Sequence, residues 1–301
     1  MFIEKRKLGD NTKYYLVHSF RDHTGTVKKI RKYLGQNLTK TELSNKQKDA
    51  EDGITKKIKL DQKKLFSFTL TKNQLTQLND FDITIKHLDA KDWRRFTETF
   101  VFNTNAIEGS TVLESEVHGI LSKKEVIGPE EIETKGVANA IEFIRNTKDD
   151  LSLNLILKLH QLCFEGSKSF AGEFRNVEVV IRNRDGSILH TGTPVKDLMS
   201  ELEEYIKWYQ KQKNEYKPLI LSAIVHNQFE HIHPFQDGNG RVGRLLLNYI
   251  LIKNNYPPIN IRLEDRGQYY YTLQEYSKKG NLIPSLAFLV EQYKKGDHFS
   301  K

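Results

Sequence analysis

Cysteine is almost missing: Cys163 is the only one among 301 residues. No intrachain disulfide can form, and a reducing, cytoplasmic compartment is the expected setting. Cys163 sits in the apolar stretch LILKLHQLCF, where a buried inert thiol is expected rather than a nucleophile. No apolar run approaches the roughly 20 residues of a membrane span. The opening MFIEKRKLGD lacks a signal-peptide core, so no membrane partner is expected. Zinc-type Cys/His spacings and internal repeats are also missing. What is present, 38% hydrophobic and 29% charged residues, describes a soluble globular chain. It is long enough to bury a full core and carry an appendage.

Charge is plentiful but uneven. Residues 1–72 hold 18 Lys+Arg against 8 Asp+Glu, a net +10, so the remainder carries −2 of the total +8. Within this basic part, residues 1–36 read as a small β-module. FIEKRKL, KYYLVHSFRD and TVKKIRKYLG alternate like strands, and His23-Thr24-Gly25 is a turn. Tyr14, Tyr15, Phe20 and Tyr33 among Lys28, Lys29, Arg31 and Lys32 could stack on and neutralise nucleic acid. The same pattern also suits packed aromatics with lysines guarding exposed edges. Residues 37–88 read as a linker and helical lead-in, the part to residue 64 as polar linker or solvated helix.

Residues 89–295 form the main domain, mainly α. A helix from Asp89 carries Trp93, Phe96, Phe100 and Thr104 on one side and stops at Gly109. Ser110-Thr111 opens the next, with Glu114 completing a capping box. Further helices are expected from Pro129 to Asn146 and from Leu151 to Phe164. The pattern breaks over Gly172–Pro194. There Val177, Val179 and Ile181 alternate, Asp185-Gly186 turns, and Ser187–Thr191 returns, a hairpin suited to a flap. A helix follows with Val195, Leu198, Met199, Leu202, Ile206 and Tyr209 as its apolar stripe. Lys217–Ile232 and Arg244–Asn254 are apolar on most sides, hence buried. Arg266–Lys279 and Ile283–Lys295 complete the set.

Between the two buried helices lies a polar loop, His233-Pro234-Phe235-Gln236-Asp237-Gly238-Asn239-Gly240-Arg241, followed by Val242-Gly243-Arg244. Gly-Asn-Gly accepts positive φ and could turn consecutive amides into an anion nest. A helix opening at about Gly240 adds unpaired N–H groups and a positive dipole end. Arg241 and Arg244 offer guanidinium forks for phosphate. Asp237 could hold a hard divalent cation. His233 can take a proton near neutral pH, and Phe235 is expected to anchor the loop in the core. The assembly reads as a polyphosphate and magnesium site with a base beside it.

HPFQDGNGRVGR, His233–Arg244, resembles the Fic family signature HxFx(D/E)GNGRxxR at every specified position. The resemblance implies a helical Fic-type bundle with a β-hairpin flap. It also implies transfer of AMP from Mg2+-bound ATP to a Ser, Thr or Tyr hydroxyl of a protein target. By the same resemblance His233 is the base and Asp237 the Mg2+ ligand, and the nucleotide is lined by Asp237, Gly238, Asn239, Gly240, Arg241, Val242, Gly243 and Arg244. Aligned from Phe174-Arg175, the flap adds Val179, Val180, Ile181 and Arg182. Tyr269 and Tyr270 match a tyrosine pair bordering the nucleotide, while Ser277 stands where many relatives carry asparagine.

Thr104-Asn105-Ala106-Ile107-Glu108-Gly109 resembles the family's inhibitory pattern (S/T)xxxE(G/N), which implies a Glu108 carboxylate paired with Arg244. Removal of AMP from a modified target, with Glu108 positioning water, is the alternative within the family, where UMP, phosphocholine or phosphate transfer also occurs. Outside it stands a nucleic-acid-binding regulator with a weakly active Fic domain. Self-modification and a homodimer complete the expected partners.

Overall fold

The computed structural model describes residues 1–21, 27–61, 64–65, 68–69, 90–182 and 188–295. It divides into two compact units, Met1–Gln77 and Leu78–Lys301.

In the first unit β1 (Phe2–Leu8), β2 (Asn11–Arg21) and β3 (Val27–Gln36) form an antiparallel sheet in that order. The turn expected at His23-Thr24-Gly25 lies outside the described residues. α1 (Lys40–Asp61) is not a solvated linker helix. Ala50 and Ile54, one turn apart, are buried with Leu16 and Leu34 of the sheet, and Ile3, Tyr14, Ile30, Leu38 and Leu43 pack around them. Two small apolar positions in a lysine-rich helix suffice because a flat sheet face supplies the rest. Thr39 caps the helix: its Oγ1 accepts from Glu42 N at 3.3 Å, and Glu42 Oε2 accepts from Thr39 N at 2.9 Å. Two short strands, β4 (Lys64–Leu65) and β5 (Phe68–Thr69), pair antiparallel.

The second unit is a helical bundle. α2 (Ala90–Ile107), α3 (Glu114–Ser122), α4 (Pro129–Asn146) and α5 (Leu153–Phe164) precede a two-stranded flap, β6 (Val180–Arg182) and β7 (Ile188–Thr191). α6 (Val195–Gln212), α7 (Pro218–Ile232), α8 (Asn239–Lys253), α9 (Arg266–Lys279) and α10 (Ile283–Lys295) follow. The flap turn at Asp185-Gly186, with Ser187, lies outside the described residues. α7 and α8 form the centre, and Leu219–Glu230 and Arg241–Leu251 are buried throughout. That explains why their sequences are apolar on most sides: every face meets protein. Cys163 is fully buried, and burial pushes its thiol up to about 12, which leaves it inert. The expected Thr111–Glu114 box is not formed. Thr111 Oγ1 instead donates to Glu130 Oε2 at 2.6 Å, and only half a box forms two residues on, with Leu113 N donating to Glu116 Oε2 at 2.8 Å. Among the described residues no helix is long and apolar enough to cross a membrane.

Candidate active site

α7 ends at His233, whose N–H donates to Phe229 O at 2.9 Å while its backbone turns left-handed, φ 55°. A non-glycine residue adopts that conformation only when its surroundings impose it. Arg175 imposes it. This buried guanidinium donates from Nε to His233 O at 2.7 Å, from one terminal nitrogen to Val177 O at 3.0 Å and from the other to Thr193 O. Its own N–H donates to Pro234 O at 3.0 Å, and Thr193 N–H to Ile232 O at 3.0 Å. Both roots of the flap are thus fastened to the loop.

Phe235, wholly buried, stacks on His160 with centroids 3.8 Å apart. His160 Nδ1 accepts from Gly172 N at 2.8 Å, so its proton is on Nε2, which donates to Asp237 O at 3.1 Å. Asn239 brackets the loop from inside: Oδ1 accepts from Phe235 N and Nδ2 donates to Phe235 O, both at 2.8 Å. The positive φ falls at Gly238 (83°), where a Cβ would lie 2.3 Å from the Phe164 ring, so only glycine fits. Asn239 and Gly240 are already helical, so the expected nest is really a helix N-terminus. The first intrahelical bond is Val242 N to Gly238 O, which leaves the leading amides of Asn239, Gly240 and Arg241 without a helical acceptor. Their dipole end borders a cavity of about 560 Å³.

The two arginines differ. Arg244, 1% exposed, donates from Nε to Thr104 Oγ1 at 2.6 Å. Its NH2 reaches Thr104 O at 2.9 Å and Glu108 Oε1 at 2.8 Å. Burial alone would lower its pKa, but the Glu108 carboxylate leads the neighbours that raise it overall. Glu108 Oε1 lies only 2.2 Å from where a Cβ on Gly240 would stand, so this carboxylate sits against the first turn of α8. Arg241 turns away from the cavity. It pairs with Glu133, lies 4.3 Å over the Phe164 ring and stands 3.6 Å from Asp237.

The cavity is lined by Glu108, Glu230, His233, Asp237, Gly238, Asn239, Gly240 and Arg244 on the motif side. Ile181 and His190 come from the flap, Tyr269, Tyr270 and Ser277 from α9. His233 is held neutral: burial, then His190, lowers it to about 4. Its Nδ1 has no hydrogen-bond partner among the described residues. A neutral imidazole beside a positive helix end is a base facing a place for anions. Burial works against ionising Asp237, yet Arg241, Lys168 (3.1 Å) and the Gly238 N–H overcome it and hold the carboxyl below 3.8. Burial raises Glu230, against the pull of Arg244, to about 8.

Residues 150–251 match the Fic/DOC family profile. Those residues are a Fic/DOC domain. The chain is 28% identical over 200 residues, 63% of this chain and 45% of the relative, to protein adenylyltransferase Fic of Nematostella vectensis. It is 27% identical over 241 residues, 77% and 46% respectively, to protein adenylyltransferase Fic of Aedes aegypti. It therefore spans about half the length of the curated relatives it matches. A Fic domain containing signaling protein from Bacteroides thetaiotaomicron shares the fold, with a TM-score of 0.60 at 23% identity, over 74% of this chain and 90% of that one.

In this Fic domain Arg241, Val242 and Gly243 do not line the cavity. Arg241, expected as a phosphate fork, is taken by Glu133, whose carboxylate and the Phe164 face together satisfy a guanidinium that is only 6% exposed. Val242 is core, and Gly243 leaves room for Glu230, whose Oε1 would lie 2.2 Å from a Cβ there. On the flap Val180 is 42% exposed, Val179 directly precedes β6, and the Arg182 side chain lies outside the described residues. Tyr269 is buried, with its hydroxyl 3.0 Å from His226 Nε2. Tyr270 donates to Ile107 O at 3.4 Å. Gly109, φ 98°, ends the segment after α2. Sequence reading missed Arg175, His160, Glu133, Glu230, His190 and His231. Arg175 and His160 could have been suspected as polar residues in otherwise apolar or structured stretches; the others gave no local signal.

Proposed function

We propose that this Fic domain transfers AMP from Mg2+-bound ATP to a Ser, Thr or Tyr hydroxyl of a protein target, and that Glu108 restrains it. The observation that carries this is a neutral His233 facing the open end of α8, with the one cavity-lining arginine of the motif held by Glu108. His233 accepts the hydroxyl proton as the oxygen bonds to the α-phosphorus. The α–β phosphoanhydride bond breaks and pyrophosphate leaves. The leading amides of α8 meet the developing charge without having to move. Arg244, once free of Glu108, holds the terminal phosphates; while paired, it leaves them a carboxylate where phosphate should lie. The donor set fits magnesium. Asp237 offers a hard, ionised oxygen at 46% side-chain exposure, and Mg2+ takes one or two carboxylates plus phosphate and water. When bound, the ion would neutralise phosphate charge; Asp237 would hold it after exchanging its Lys168 contact. Among the described residues no group of three or more His, Cys, Asp or Glu is placed for a metal. A site completed by substrate phosphates suits that.

The test is mass spectrometry of the protein, alone and with cell extract, after incubation with Mg2+-bound ATP. One added AMP on a hydroxyl residue supports the reading; an added phosphate or no adduct in the Glu108→Gly protein contradicts it. Glu108 also favours a second reading, AMP removal, because its carboxylate lines the cavity at 29% exposure and could orient water.

One observation supports a separate role for the first unit. The sheet face away from α1 bears Phe2, Tyr15 and Tyr33 with Arg6, Lys13, Lys29 and Arg31, Arg6 and Arg31 both pairing with Glu4 on the same face at 2.8 and 2.9 Å. Arg6 lies 5.5 Å over Tyr15 and Lys29 5.6 Å over Phe2. Aromatics among cations on one face suit nucleic acid. Binding by the full chain should then weaken steeply with salt, and no binding at low salt removes the reading.

A further inference from the structure

His190, His231 and Ser277 form a closed hydrogen-bonded ring at the rim of the cavity. His190 stands on β7, opposite Ile181 of β6. Its Nε2 is 2.9 Å from the carbonyl oxygen of His231, the penultimate residue of α7. A carbonyl only accepts, so His190 carries its proton on Nε2, and its Nδ1 is a lone-pair acceptor. Ser277 Oγ, on α9, is 3.1 Å from that Nδ1, so the hydroxyl donates to it. The same Oγ is 3.1 Å from His231 Nδ1. Having given up its hydrogen, the serine accepts there, and His231 is fixed as the Nδ1–H tautomer. Each bond has one direction, and the tautomers of both rings follow from a single carbonyl.

We propose that Ser277 is a positioning residue that, through His190 and His231, clamps flap strand β7 onto the α7–α9 rim of the cavity and lets it go when His190 takes a proton. The flap needs such a tie. It is a lone pair of strands of three and four residues, and an isolated hairpin is marginal in water. Val180 and Ile188 are 42% and 57% exposed, so apolar burial does little for it. Arg175 fixes its roots, and the ring fixes the strand above them.

Protonation weakens the ring at one member. A proton on His190 Nδ1 turns an acceptor into a donor; the serine oxygen has lone pairs for both rings, but its own hydrogen loses its acceptor and the new charge faces Arg175. A proton on His231 goes to Nε2 and leaves its Nδ1–H bond intact. The groups facing His190 are His231 from α7, His233 from the loop, Arg175 from the first flap root, Ser277 from α9 and Ile181 from β6. Burial, and after it the Arg175 charge, disfavour the imidazolium; the His231 carbonyl favours it; the net shift is below 6.5. A lowered histidine makes the clamp full-strength above about 6.5 and weaker as pH falls below it.

The ring itself is independent of the reaction; its use, fixing the flap for an incoming target segment, rests on the AMP-transfer reading. The test is imidazole 15N NMR with amide hydrogen exchange at residues 188–191. It is run on the full chain and on Ser277→Ala and Ser277→Thr. The wild type should show His190 as Nε2–H and His231 as Nδ1–H at neutral pH. Ser277→Ala should exchange the 188–191 amides faster by on the order of fivefold or more, while Ser277→Thr, which keeps the hydroxyl, stays near wild type. After correction for the intrinsic pH dependence of exchange, the wild type should lose the same protection as His190 protonates. The proposal falls if either tautomer is the other one, or if Ser277→Ala exchanges within about twofold of wild type. If Ser277→Ala does not fold, the wild-type titration decides: protection unchanged by His190 protonation overturns the clamp. None of these readouts uses transfer, so a chain that moves no AMP refutes the activity and leaves the clamp standing.

Discussion

Replacing Glu108 by glycine should release the active site, and the size of the effect follows from one contact. Glu108 Oε1 accepts from Arg244 NH2 at 2.8 Å, with Arg244 2% and Glu108 29% exposed at the side chain. A charge-assisted bond in such surroundings contributes about 1.5–3 kcal/mol. If it must break before Arg244 can hold phosphate, its removal lowers the barrier by that amount, roughly 10- to 150-fold in rate. The fold should survive. Arg244 keeps Thr104 Oγ1, Thr104 O and the Tyr269 hydroxyl at 3.5 Å, so its guanidinium stays hydrogen-bonded although it loses its carboxylate partner. Glycine lies one residue beyond α2 and costs less than the ~1 kcal/mol of a helix interior. Glu108→Gln, which keeps the contact and drops the charge, should fall between. Arg244→Ala in the Glu108→Gly background should bring the rate down again. The assay is the initial rate of AMP transfer at saturating Mg2+-bound ATP, because in the proposed restraint the glutamate misplaces nucleotide rather than excluding it. A folded Glu108→Gly protein no faster than wild type would refute the reasoning. Loss of AMP removal from a modified partner would favour the second reading of Glu108.

Arg175→Ala should lower stability by about 3 kcal/mol, since three part-buried carbonyls lose their donor; thermal unfolding should shift by about 6–12 °C. Lysine should not rescue it, because one ammonium cannot reproduce the fork. Gly238→Ala should cost about 2–4 kcal/mol through the Phe164 clash and the left-handed backbone, read by denaturant unfolding. Glu230 is raised to about 8, so its contribution is fullest below 4.5 and lost as pH rises through 8; Glu230→Gln should gain stability relative to wild type between those limits. His233, His160 and His231, each lowered to about 4 chiefly by burial, act oppositely. Their contribution is full above 6.5 and drains away as pH falls, so acid unfolding should begin there.

The loop was legible in the sequence because its chemistry is local. Twelve consecutive residues carry the base, the acid, the glycines and the arginines. The buried α7 and α8, the flap hairpin and the terminal helices were equally plain from periodicity. Long-range partners were not. Arg241 reads as a phosphate ligand until Glu133, 108 residues away in sequence, is seen to take it. The left-handed turn at His233 depends on Arg175, 58 residues earlier, and no local rule assigns positive φ to histidine. α1 was hidden by its lysines: Ala50 and Ile54 are too few to make a stripe, and the sheet they meet supplies the apolar surface. The contact between Glu108 and Arg244 came from resemblance and is geometric fact here; inhibition is what the rate measurement must decide.

The most direct measurement uses ATP labelled at the α-phosphate and, in parallel, at the γ-phosphate, with Glu108→Gly protein and the same protein carrying His233→Ala. Covalent label is expected from the α-position only, stable on a hydroxyl side chain, and arriving at least about 100-fold slower without His233 while ATP still binds. Label from the γ-position, or α-label arriving at an undiminished rate without His233, would contradict it.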